Sequence, residues 1–200
     1  MAGVTTRTRL SPDQRRTQLL DLGVRLLSTR SVDELSIDLL AEEAGISRGL
    51  LYHYFGNKAA FHEAVVRHAA DDLIAQTAPP TSGDAFERLH ASMAAYLAYV
   101  EQNLAGYLSL VRGSAGGSEA MREIYDEARA ALTDRVFDDE HDGFRVPDTP
   151  LARLVVRGWA AMAEDAVLSW VLDPTGVSRE QLLDMLTAAL PSLVATVPEQ

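Results

Sequence analysis

Residues 36–58 read SIDLLAEEAGISRGLLYHYFGNK, and their spacing decides the fold. Ser36 is placed to cap a short helix whose inner face is Ile37, Leu40, Ala41 and Ala44. Gly45 follows where a tight corner needs a positive φ, and Ile46 plugs the angle between two helices. Ser47 caps the next helix, which carries Leu51 and Phe55 inward. Asn57 caps a further helix, with Phe61, Ala64 and Val65 on its stripe, expected to run to about Gln76. Two short helices at a glycine corner make a helix-turn-helix, expected over about 36–55. The second opens on Ser47-Arg48-Gly49, small apart from one long cation. A helix entering the major groove by its N-terminal end needs this, because bulk there blocks approach.

The side chains that follow fit the same chemistry. Arg48 reaches a guanine edge through two hydrogen bonds, or a phosphate. Gly49 lets the backbone come close. Tyr52, His53, Tyr54 and Lys58 supply hydroxyl, imidazole and ammonium groups that hold phosphates. The competing reading is a pair of packed helices with no nucleic acid nearby. Against it, two tyrosines and a histidine within four residues are poor choices for a purely solvated face.

The stretch LAEEAGISRGLLYHYFGNKAAF, residues 40–61, resembles the tetracycline-repressor (TetR) family of bacterial one-component regulators. AGISRG, LYHYF and the Asn57-Lys58 pair fall in the family's order and spacing, and the close match covers about Asp13 to Val66. The resemblance implies a three-helix DNA-binding unit, a fourth helix joining it to a larger helical ligand domain, and a homodimer. It places Arg48 and Gly49 at base-facing positions. Ser36, Ser47, Tyr52, Tyr54 and Lys58 match positions that often hold phosphates, and His53 matches one that touches either. Three residues depart from the family's pattern. Leu50 stands where a small or polar residue is common. Asp38 stands where a basic or polar group often nears DNA. Gly23 replaces a better helix former, at about 1 kcal/mol unless close packing needs it.

Ahead of this stretch, Ser11-Pro12-Asp13-Gln14 is a strong helix start. Leu19, Leu22, Gly23, Leu26 and Leu27 form the stripe of a first helix ending near Thr29. Arg7 and Arg9 precede it, and Arg15 and Arg16 lie just inside. Such an arm either follows the DNA backbone or enters a minor groove, or it is an unstructured tail. Ala78-Pro79-Pro80-Thr81-Ser82-Gly83 is the clearest break in the chain. Beyond it, a long helix is expected on Phe86, Leu89, Met93, Leu97, Val100 and Leu104, then a shorter one over Ala105 to Val111. A turn at Gly113–Gly117, a helix on Met121 to Leu132 and an acidic loop from Asp138 to Thr149 follow. The last helices are expected over Leu151–Leu172 and Ser178–Val197. The fold class is therefore all-α: a DNA-binding domain over 12–72, and a helical effector-binding and dimerisation domain over 73–200.

Composition narrows the function. The 200 residues contain no cysteine, which excludes disulfide scaffolds, thiolate metal sites and cysteine nucleophiles. No apolar run approaches membrane-spanning length and no signal peptide opens the chain, so a cytoplasmic location is expected. The net charge of −11 is unevenly spread. Residues 1–70 hold nine Arg/Lys against eight Asp/Glu, a net of +1; residues 71–200 hold nine Arg against 21 Asp/Glu, a net of −12. One end tolerates a polyanion and the other repels it. His62, Glu63 and His68 lack the spacing of a zinc protease, whose histidines stand four apart. The acidic loop lacks the glutamate that ends a calcium loop. No nucleophile is paired with a base, so neither enzyme activity, a metal nor a cofactor is expected.

The acidic half offers candidate effector contacts. Tyr96, Tyr99, Tyr107, Tyr125, Phe137, Trp159 and Trp170 either line a cavity between helices or fill the core. Tyr99, Tyr107, Trp159, Met162 and Glu164 are the chosen candidates, for a small apolar or aromatic effector. Glu164-Asp165 interrupts an apolar helix, so one carboxylate faces an interior, a partner or a pocket and needs a donor there. Either an arginine such as Arg112 or Arg157, or a ligand, supplies it. Leu151, Leu154, Val155 and Met162, with Leu182, Leu183, Leu186, Leu190, Leu193 and Val194, present wide apolar faces that suit a homodimer. The expected function is a homodimeric, ligand-responsive transcriptional repressor on a pseudo-palindromic double-stranded DNA operator. The alternative is a helical enzyme or small-molecule carrier, which failure to bind duplex DNA at low salt would favour.

Overall fold

The structure, a computed structural model, describes residues 11–116, 119–138, 146–174 and 176–198. The Arg7/Arg9 arm and most of the expected acidic loop lie outside them. Among the described residues there are helices and no strands. Helix α1 spans Pro12–Leu27, α2 Ile37–Ala44, α3 Arg48–Phe55 and α4 Lys58–Gln76; a 3-10 turn over Val32–Glu34 precedes α2. Helices α5 (Ala85–Gln102), α6 (Leu104–Ala115), α7 (Glu119–Asp138), α8 (Pro150–Leu172) and α9 (Arg179–Val194) complete the chain.

Local chemistry sets the helix starts. Ser11 and Gln14 form a reciprocal capping box, and Pro12 opens α1 without wasting an N–H. Ser36, Ser47 and Asn57 accept from the backbone N–H of Leu39, Leu50 and Ala60 at 3.0, 3.3 and 2.9 Å. Gly45 closes α2 at φ +64°, a conformation that costs a side chain with a Cβ.

Two apolar cores organise the packing. The first joins α1–α4 through Leu19, Leu35, Leu40, Leu51, Phe61 and Val65, all buried, and extends to Leu110 of α6 and Ile124 of α7. Gly23 is explained there: a Cβ would stand 2.6 Å from Val65 Cγ2. Its helix-propensity cost is the condition for α1 and α4 to close on each other. The His62 imidazole ties α4 to the entry of α2 by a 2.5 Å bond to the Leu35 carbonyl. His68 bridges α4 to Asp21 of α1 at 2.8 Å. The second core gathers α5, α8 and α9 around Leu97, Val100, Val156, Val167 and Leu186, and takes in Leu73 near the end of α4.

The back half departs from the sequence reading in four places. The long helix stops at Asn103, whose backbone leaves the helical region and whose amide donates to the Tyr99 carbonyl at 3.0 Å; Leu104 therefore begins α6. Gly113 lies inside α6 rather than in a turn and faces α7 closely, since a Cβ there would press Met121 Cγ at 3.2 Å. Phe86 is exposed in the first turn of α5, and the buried face begins at Arg88, its buried apolar part at Met93. Helix α9 ends at Val194, three residues early, and its stripe is split. Leu182, Leu183, Leu186, Leu190 and Val194 are buried in the chain's own core, while Met185 and Leu193 are exposed.

Candidate nucleic-acid interface and effector cavity

Helix α3 shows an exposed polar face to solvent and a buried apolar one to the first core. Leu51 and Phe55 are buried, while Ser47, Arg48, Gly49, Tyr52 and His53 are exposed. Tyr54 is half-buried against the core and meets the His53 ring edge-on at 5.6 Å. Lys58 is exposed in the first turn of α4, where it shares one end of the molecule with α3. Ser36 is half-buried and its hydroxyl oxygen caps α2. Leu50 is half-buried. Arg16 covers Phe55, its guanidinium 5.4 Å from the ring centroid.

Gly49 is the informative position. A Cβ added there would meet only Ser47 Oγ, at 4.0 Å. Neither packing nor a positive φ requires glycine, although glycine weakens a helix. The space beside it opens outward, where another molecule's backbone can approach. Asp38, at odds with a DNA-facing surface when read alone, forms an ion pair with Arg48 through the guanidinium Nε.

The second site lies between α4, α5, α6, α7 and α8, with Leu190 of α9 at its wall. A cavity of about 180 Å³ is walled by Leu89, Met93, Leu132, Val136 and Ala160, with polar groups at a few points. Tyr96 and Tyr107 share a 2.7 Å hydroxyl–hydroxyl bond at its wall; burial raises both phenols well above the ordinary tyrosine range. Tyr125 donates to Glu164 at 2.7 Å and accepts from Arg129 Nη1 at 2.6 Å. Arg129 stands 3.9 Å from Glu164 and also donates to the Arg157 carbonyl. The hydrogen-bond donor to Glu164 is thus Tyr125 and the charge beside it is that of Arg129, in place of the Arg112 or Arg157 that the sequence suggested, and Asp165 is exposed.

Of the five candidate effector residues, Tyr107, Trp159 and Glu164 line this cavity. Tyr99 does not: it is buried, and its hydroxyl donates to the Ala69 carbonyl of α4 at 2.7 Å. Met162 lies on the exposed side of α8. Trp159 donates to the Leu186 carbonyl at 3.0 Å, which fixes its ring in the wall. Trp170 is remote, bonded to the Val177 carbonyl. Arg88, Arg129 and Arg135 also line the cavity; arginine at pocket positions of an acidic half has no periodic signature, so the sequence did not point to them.

No helix of the described residues is long and apolar enough to cross a membrane. The chain matches the tetR family of bacterial regulatory proteins over residues 19–65 and a tetracyclin repressor-like C-terminal domain over residues 86–191. Among curated proteins it is 26% identical over 180 residues to the HTH-type transcriptional activator FasR of Mycolicibacterium smegmatis, covering 88% of this chain and 81% of that one. Its front part is 39% identical over 64 residues to the HTH-type transcriptional regulator BetI of Burkholderia thailandensis, covering 32% of this chain and 33% of that one. Among solved structures, a tetR-family transcriptional regulator from Streptomyces coelicolor superposes with a TM-score of 0.74 at 32% identity, covering 93% of this chain and 81% of that one. With an exposed helix-turn-helix in front and matches that run through the back half, the chain belongs to the tetR family and is a DNA-binding transcriptional regulator.

Proposed function

We propose that the chain works as a homodimer, with residues 12–72 reading an operator and residues 73–200 binding a small effector and holding the dimer together. The observation that carries the DNA-reading role is the exposed start of α3. There Arg48 and Gly49 face outward, and glycine serves no internal need. Arg48 reads a base edge. Tyr52, His53, Tyr54 and Lys58 hold phosphates, as do Ser36 and Ser47 through their caps. The cavity walled by Tyr107, Trp159 and Glu164 is the effector site. No catalytic role is assigned. Dimerisation is supported by the outer face of α8 and α9, where Leu151, Leu154, Met162, Met185 and Leu193 are exposed together with Gly158. Large exposed side chains clustered on two helices mark an association surface.

Repression by blocking is the first reading of the direction of control. Activation is the second, because FasR is named an activator. The test is selection of duplexes from a random pool by the full chain, followed by titration of the winners. Two half-sites with centres about one helical turn apart, or a little more, are expected. Affinity should fall about a thousandfold or more between about 50 and 200 mM salt, as for a dimer holding roughly 6–10 phosphates. Failure to enrich any sequence at low salt would refute the assignment of α3.

A further inference from the structure

Three arginines line the cavity, and Arg135 differs from Arg129 in what balances its charge. Arg129 has Glu164 beside it. Arg135 donates to two neutral oxygens: the Ile74 carbonyl at 2.5 Å and Thr77 Oγ1 at 3.3 Å. Among the described residues, no carboxylate stands within ion-pair distance of it. It is half-buried, and burial holds its guanidinium below the ordinary arginine value. Such a group prefers a carboxylate, which accepts two parallel N–H bonds and matches the charge.

Ile74 and Thr77 are the far end of α4. The near end of that helix begins at Lys58, beside α3, about 28 Å away for 19 residues. Arg135 therefore sits at the cavity wall and holds the Ile74 carbonyl and the Thr77 hydroxyl at the end of the rod that carries the DNA-reading unit. The other polar groups of the cavity argue against a cationic occupant. Glu164 already receives Tyr125 and faces Arg129, so its charge is matched. The size sets a bound as well. A 150 Å³ apolar cavity takes a benzene ring, and this one, at about 180 Å³, takes a ring or a medium-length chain.

We propose that the cavity binds an amphipathic carboxylate, an organic acid with an aromatic or medium-chain aliphatic body. Arg135 is its counter-ion and exchanges the bond to the end of α4 for a bond to the ligand. This rests on the reading of the cavity as the effector site. Losing Arg135 frees the α4 terminus, and a ligand that favours that state weakens or strengthens operator binding by its differential affinity alone.

The test uses the full chain and three probes of equal chain length: octanoate, octanol and octylamine. Calorimetric titration should show octanoate binding at least about tenfold tighter than the other two. Arg135→Gln should remove that preference, so that octanoate and octanol bind the variant equally, and Arg135→Lys should keep part of it. Octanoate should shift the affinity of wild type for its selected duplex and should not shift that of Arg135→Gln. Octanol or octylamine binding as tightly as octanoate, or no binding of any of the three, overturns the ligand class. A preference that persists in Arg135→Gln overturns the role of Arg135. Octanoate binding that leaves duplex affinity unmoved overturns the exchange at α4 and the effector reading with it, while the carboxylate site stands. Failure of the operator selection instead sinks the DNA assignment and leaves the calorimetric result intact. If Arg135→Gln does not fold, the wild-type preference for octanoate over octanol, together with Arg135→Lys, decides.

Discussion

Asp38 and Arg48 form an ion pair across the corner of the helix-turn-helix, carboxylate to guanidinium Nε, with both side chains more than half exposed. An exposed pair contributes little to stability, about 0–1 kcal/mol. Its consequence is orientation. With Nε held by Asp38, the two terminal nitrogens of Arg48 stay available for a guanine edge. A carboxylate on this surface, unfavourable beside phosphates, is thereby put to use.

Both members of the pair are therefore expected to affect discrimination. Arg48→Ala should weaken specific binding by about 1–3 kcal/mol. Asp38→Ala should leave the melting temperature nearly unchanged and lower the ratio of specific to random affinity, because it removes a repulsive charge as well as a positioning one. Titrating each variant against the selected duplex and a scrambled one checks this. An unchanged ratio in both variants would show that Arg48 reads no base.

Gly49→Ala separates folding from DNA approach. The methyl has room, its nearest neighbour being Ser47 Oγ at 4.0 Å, and alanine favours the helix by roughly 0.5–1 kcal/mol. Thermal stability should hold or rise while operator affinity falls. Undiminished affinity would mean that the DNA backbone does not approach this position.

Leu154 is 66% exposed on α8, on the apolar surface proposed for the dimer. Leu154→Asp should place a charge in that contact and produce a monomer by analytical ultracentrifugation, with helical content retained. Operator affinity should drop with it, since each half-site would then bind alone. A variant that stays dimeric would move the interface elsewhere.

Alkaline pH should destabilise the acidic half. Burial raises Tyr96, Tyr99 and Tyr107 well above the ordinary value of 10. Burial and then the hydrogen bond to Glu164 push Tyr125 up to about 12. These groups hold their protons more tightly folded than unfolded, so their stabilising contribution is full below about pH 10. It is lost as pH rises through the folded values. Urea midpoints should fall from about pH 10 upward, with the tyrosinate absorbance of the buried tyrosines appearing together with unfolding. Tyrosinate forming in full before unfolding would contradict the burial of the Tyr96–Tyr107 pair.

The sequence by itself determined the front of the molecule. The caps at Ser11, Ser36, Ser47 and Asn57, the corner at Gly45 and the inward positions of Leu51 and Phe55 are local: each depends on neighbours three or four residues away. The exposed candidates on α3 were legible for the same reason, since a short helix with one apolar side leaves its other side outside. Tertiary structure decided what the back half does with its polar and aromatic groups. An aromatic on an apolar stripe packs into core or lines a cavity with the same periodicity, so Tyr99 and Tyr107 look alike in sequence. They part only because Ala69 of α4 meets the one and Tyr96 meets the other. Glu164 finds Tyr125, 39 residues away, and Arg135 finds Ile74, 61 residues away. Gly23 is a defect in its helix until Val65 arrives from α4. Such pairings are set by how helices stack, which depends on the shapes of all the side chains between them rather than on any spacing along the chain.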